Sequence, residues 1–197
     1  MKTAPDLILA SASPRRRELL ERLGLVLRIE PVDVDETPAP GEKARAYAQR
    51  LAAEKGDAAL ARLGQEAATL PILTADTVVV LGEDILGKPA NQDEAAAMLR
   101  RLAGRRHEVM TAYRAHFGGR MVERVVSTGV GFRSLDSAEL RAYLDCGEWQ
   151  GKAGAYAIQG PISAWIERIE GSYTGIMGLP LFETRELLAR ARVRFGF

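Results

Sequence analysis

The 197-residue chain is long enough to bury a real core without disulfide or metal staples, and its 47% hydrophobic and 27% charged content is that of an ordinary globular domain. A net charge of +1 argues against general attraction to nucleic acid, and no apolar run approaches the roughly 20 residues of a membrane span. Cys146 is the only cysteine, so internal disulfides and thiolate zinc sites are out; with only His107 and His116 besides, a metal is expected to be hard and oxygen-bound, such as magnesium or manganese.

The opening MKTAPDLILASASP has too short an apolar run for a signal peptide, so a cytoplasmic protein is expected. A strand signal at residues 6 to 10 leads into SASPRRRELLERLG, where Ser13 is a good N-cap and Pro14 stands at the first position of a helix over 14 to 23. Helical patterns follow at 42 to 63, 92 to 103, 137 to 145 and 180 to 192, with β-branched strand runs at 71 to 81 and 124 to 132. HEVMTAYRAHFGGRMVERVVSTGVGF reads as a hairpin turning at Gly118-Gly119, which makes the sheet mixed. GEWQGKAGAYAIQGPISAWIERIEGSYTGIMGLP is expected to alternate short strands with tight turns. No repeat or interdomain linker interrupts this α/β pattern, and residues 1 to 197 read as one domain; DETPAPGE is the longest candidate loop.

Several residues break their local pattern. Arg15, Arg16 and Arg17 occupy a first helical turn, where the helix dipole disfavours cations by about 0.3–1 kcal/mol each and a bound anion reverses the sign. Arg17 sits four residues before Glu21 and belongs to a solvated face, whereas Arg16 shares the stripe of Leu19, Leu20 and Leu23. Arg15 and Arg16 are therefore anion candidates, with Ser11 and Ser13 as hydroxyl partners, against the alternative of an exposed basic turn. Asp76 interrupts PILTADTVVVL, a strand apolar enough to be buried on both faces; it is either held by backbone donors or is a metal ligand or general base. Lys55 shares a helical face with Ala48, Leu51 and Ala52, either snorkelling at the core edge or serving a charged site. DVDET offers Asp33, Asp35 and Glu36 to a hard cation, or is a solvated loop.

Other patterns are decoys. GEDILGKP imitates a P-loop up to Pro89, which has neither a hydroxyl for magnesium nor an N–H for phosphate. Lys88 can still join Arg15, Arg16 and Lys55 in a positive clamp for a triphosphate. GVGFRS lacks the third glycine of a dinucleotide fingerprint, and Trp149 and Trp165 read as core more readily than as base-stacking surfaces.

LILASASPRRRELLERLG, ADTVV, LGKP and GKAGAYAIQG followed by GLPL resemble, in order and over nearly the whole chain, the Maf family of nucleoside triphosphate pyrophosphatases. The resemblance implies an inosine-triphosphatase-like α/β fold, an elongated mixed β-sheet in two lobes with a central cleft, usually homodimeric. It implies cleavage between the α- and β-phosphates with a divalent cation, magnesium or manganese. By the same match Asp76 is the proton acceptor, and Glu36, with Asp76, is an acid for the metal. Ser11, Ser13, Arg15, Arg16, Lys55 and Lys88 serve the phosphates, with Arg16 and Lys88 acting on the leaving group.

Gln159, Arg15 and Thr77 match specificity positions of the pyrimidine-selective branch. A glutamine amide pairs with N3–H and O4 of uracil or thymine, so dTTP and UTP are the expected substrates; a flipped amide leaves CTP open. A noncatalytic nucleotide-binding regulator of cell division is the competing reading, and Asp76 argues against it. Neither nucleic acid nor membrane is an expected partner.

Overall fold

The computed structural model describes residues 4–196. One seven-stranded mixed sheet organises them: β1 (Leu7–Leu9), β2 (Leu27–Ile29), β3 (Ile72–Leu81), β4 (Asp84–Leu86), β5 (Arg106–Phe117), β6 (Arg120–Phe132) and β7 (Ile166–Glu170). The strand order is β2-β1-β3-β5-β6-β7, with β4 paired to β3. The β2, β1 and β3 pairings are parallel and all others antiparallel.

The helices are α1 (Pro14–Glu21), α2 (Ala44–Leu63), α3 (Gln92–Leu102), α4 (Ser137–Asp145), α5 (Tyr173–Met177) and α6 (Leu181–Arg190). Several start where short polar side chains bind their free N–H groups. Ser13 Oγ accepts from the Arg16 N–H at 3.4 Å, and Asn91 Oδ1 accepts from the Glu94 N–H at 2.9 Å. Asp136 and Glu139 cap α4 reciprocally.

The expected hairpin is present and longer than its strand signal. Phe117 pairs with Arg120 across Gly118 and Gly119, whose φ values of 54° and 71° fit the two-residue turn favoured by strand twist. The long middle strand β3 is buried on both faces. Leu73, Ala75 and Val79 join the main core with α1, α3, α4 and α6; Ile72, Val78 and Val80 pack on the α2 side. Asp76 therefore projects toward α2 and Thr77 toward α1 and α5, as strand alternation requires.

The glycine-rich stretch from 147 to 180 corrects one expectation. Its only strand is β7, and the rest is made of single 3-10 turns at Ala153–Ala155 and Pro161–Trp165 followed by α5. Gly151 and Gly154 adopt φ of 65° and 67°, which ends extended structure and folds the chain against β3. The three-residue strands β2 and β4 escaped the sequence reading because so short a run carries no measurable period. Trp149 is buried with its Nε1–H on the Leu144 carbonyl, and the half-buried Trp165 packs edge-on to Tyr143 against the core, so both serve packing.

Candidate active site

The cleft arises from incomplete strand pairing. β1 follows β3 only as far as Leu73, and β4 joins β3 only from Val79 onward. Between these points β3 has β5 on one side and, among the described residues, no strand on the other. The Leu73 carbonyl accepts from the Ala10 N–H on the β1 side, so alternation turns the peptide groups of Ala75 and Thr77 toward the open edge. A cavity of about 560 Å³ fills this gap, and because a sheet edge exposes both faces, Asp76 and Thr77 both line it.

On the α2 face lies an alternating chain of charges. Lys55 Nζ donates to Asp76 Oδ1 at 2.7 Å and to Glu36 Oε1 at 2.8 Å; Lys88 Nζ donates to Glu36 Oε2 at 3.0 Å. The side chains of Lys55 and Asp76 are only 12% and 10% exposed, so their pairing at 2.7 Å offsets the desolvation of both, with Glu36 as a second acceptor for the ammonium. Burial opposes ionisation of Glu36, but hydrogen bonds from Lys55 and Lys88 outweigh it and hold that carboxyl down at about 2. Tyr47 Oη donates to the Glu36 carbonyl at 2.6 Å and fixes the loop. Asp35 points elsewhere, accepting from the Thr37 N–H at 2.9 Å, so Glu36 is the acid that faces the cavity, with Asp33 at the wall.

The opposite face is organised by Arg16. Its guanidinium is buried and donates from Nε to the Gly178 carbonyl (2.8 Å), from one terminal nitrogen to Ser11 Oγ (3.1 Å) and from the other to Thr77 Oγ1 (3.2 Å). A guanidinium has five N–H donors, so among the described residues two are left for an anion. Ser11 Oγ also accepts from the Ser13 N–H at 3.2 Å, which occupies both lone pairs and leaves its proton to donate into the cavity. Arg15 lines the same wall; partial burial lowers its pKa, and Glu148 works in the opposite direction.

The sequence reading missed two contributors. Lys152 lines the cavity with its ammonium on the Gln150 carbonyl at 3.0 Å, and among the described residues no carboxylate pairs with it in the way Glu36 pairs with Lys55 and Lys88. The signal was available, since Lys152 stands inside GKAGAYAIQG. The Gly154 N–H bonds the Gly87 carbonyl at 3.0 Å, tying this block to LGKP and setting Lys152 near Lys88. Tyr156 is the second: it lines the wall while its hydroxyl meets His107 Nε2 at 2.8 Å in the core. Altogether five cationic and three carboxylate side chains line the cavity, an excess of two positive charges, beside an apolar wall of Val79, Val109, Tyr156, Ile176 and Met177.

Of the residues proposed from sequence, Ser11, Ser13, Arg15, Arg16, Glu36, Lys55, Asp76, Thr77 and Lys88 all line this cavity. Gln159 does not: it is exposed and lies outside the lining. The next residue, Gly160, approaches the Glu148 carboxylate, which also acts on Arg15.

The profile of the Maf-like protein family matches residues 6–191. The chain belongs to the Maf family. It is similar to a dTTP/UTP pyrophosphatase of Cereibacter sphaeroides, 55% identical over 188 residues covering 95% of each chain. Another dTTP/UTP pyrophosphatase, of Bordetella parapertussis, is 50% identical over 194 residues, 96% of this chain and 94% of the relative. That of Anaeromyxobacter dehalogenans is 50% identical over 192 residues, 95% of each. The Maf blocks that lie far apart in sequence thus meet at one open sheet edge, with ADTVV on the edge strand and the others around it.

Among the described residues, no three carboxylate, histidine or cysteine groups cluster closely enough to hold a metal alone. Glu36 and Asp76 are bridged by the Lys55 ammonium. This donor set suits a cation that takes one or two carboxylates and completes its shell from water and phosphate, the habit of magnesium, and does not suit an all-protein cage.

Proposed function

We propose that this chain hydrolyses dTTP and UTP to the monophosphate and pyrophosphate. The observation that carries the proposal is the cavity itself, where a buried carboxylate faces a converging set of cations with a net positive excess. The names of the Maf relatives support the choice of nucleotides.

In this reading the triphosphate lies along the wall of Arg15, Arg16, Lys88 and Lys152, with the Ser11 hydroxyl donating to a phosphate oxygen. Asp76 orients a water and takes its proton as the water oxygen bonds to the α-phosphorus. The bond from that phosphorus to the bridging oxygen breaks, and the electron pair leaves on pyrophosphate. Lys55 holds the Asp76 carboxylate in place, and the remaining cations stabilise the departing charge electrostatically. A magnesium or manganese ion held through Glu36 and Asp76 would supply further charge neutralisation for the phosphates. The working form is proposed as a cytoplasmic homodimer, with the Phe182 ring, 76% exposed on α6, as a candidate contact between subunits.

Product analysis is the test. UTP with magnesium should give UMP and pyrophosphate, and a chelator should stop the reaction; UDP with inorganic phosphate overturns the proposal.

A further inference from the structure

Thr77 meets Thr111 across the β3–β5 pair, with their hydroxyl oxygens 2.8 Å apart. That distance does not say which one donates, but the neighbours do. Thr111 Oγ1 lies 2.8 Å from the Gly175 carbonyl, an atom that can only accept, so the Thr111 proton is committed there. Thr111 must then accept from Thr77, and the Thr77 proton is committed in turn. On its other side, Thr77 Oγ1 accepts from the Arg16 guanidinium at 3.2 Å. The relay runs one way, from Arg16 through Thr77 and Thr111 to Gly175. Thr111 is fully buried, so water has no access to reverse it.

One lone pair of Thr77 is left, on a residue that lines the cavity. It can accept and cannot donate. The guanidinium beside it repels a cation, and a phosphate oxygen brings no proton, so its ligand is a neutral N–H or O–H. Ser11, on the same guanidinium, has the reverse polarity and serves the phosphate. The two hydroxyls thus distinguish the two ends of a nucleotide.

We propose that Thr111 is a positioning residue for base choice: it locks Thr77 as an acceptor for the N3–H of uracil or thymine. Cytosine presents an unprotonated N3 to the same atom, lone pair against lone pair, and is rejected. Gln159, outside the cavity lining, is not needed for this step. The inference rests on the pyrophosphatase reading and extends it to the hydrogen-bond polarity of the site.

UTP and CTP carry the same ribose and triphosphate, so the ratio of their kcat/KM values isolates the base. Thr111→Val frees the Thr77 proton to donate, and the ratio should fall about fivefold to tenfold, the scale of one hydrogen bond. Thr111→Ser restores the hydroxyl and should keep the wild-type ratio, with circular dichroism and melting curves confirming that both variants fold. An unchanged ratio in a folded Thr111→Val, or an equal fall in Thr111→Ser, overturns the inference while wild-type release of pyrophosphate from UTP leaves the activity standing. If the wild-type protein releases no pyrophosphate from UTP, the activity reading falls and the inference with it.

Discussion

Asp76→Asn separates chemistry from architecture. The substitution preserves shape and removes one negative charge opposite Lys55 Nζ, which lies 2.7 Å from Asp76 Oδ1. The ammonium is not orphaned, because Glu36 Oε1 still accepts from it at 2.8 Å. Unfolding free energy should therefore fall by only about 1–2 kcal/mol, the worth of one weakened hydrogen bond to a charged group. In a chain of this size that lowers Tm by about 2–8 °C. Loss of a general base costs far more where it matters, about 10²–10⁴-fold in turnover. That fall corresponds to about 3–5 kcal/mol of activation free energy. Pyrophosphate release from UTP and thermal melting, measured on the same preparation, give both numbers, and calorimetry should show nucleotide still binding. A variant that keeps more than a tenth of wild-type turnover refutes the role of Asp76 as base. A collapse in Tm refutes the claim that Glu36 suffices to hold Lys55.

Arg16→Lys keeps the charge but loses the fork that reaches Gly178, Ser11 and Thr77 together; about 2–3 kcal/mol of stability should go with it, read as a Tm lowered by about 4–12 °C and a raised KM for UTP. An unchanged Tm would show that the three bonds are dispensable. His107 is 2% exposed, and burial holds its pKa down at about 4 from an ordinary 6.5. Between those values the unfolded chain binds a proton that the folded chain does not, so stability should decline as pH falls through this window, by up to about 3 kcal/mol. Urea denaturation across that range measures the decline, and His107→Asn should flatten it while keeping a hydrogen-bonding partner for Tyr156.

The sequence alone marked most of the local elements and singled out nearly every charged residue that lines the cavity. Ser13 and Pro14 marked the start of α1, and the stripe of Leu19, Leu20 and Leu23 put Arg16 against the core, because caps and helical periodicity act over a few residues. Asp76 stood out because a carboxylate in a strand buried on both faces needs a partner, though nothing local could name Lys55 as that partner. The turn-rich segment after Gly147 was misread for a related reason. Its conformation is set by packing against β3, where Val79 leaves no room for a Cβ at Gly154, and its neighbours supply no period.

Tertiary structure alone decided which of the acidic residues in DVDET faces the cations, brought Lys152 into the cavity wall and left Gln159 outside it. It also fixed the direction of the Thr77 hydroxyl through Thr111, 34 residues away in sequence. Strand pairing that stops at Leu73 and resumes at Val79 opens the edge on which these groups meet. Pairing of that kind is a contact between distant segments, so no window of sequence contains it.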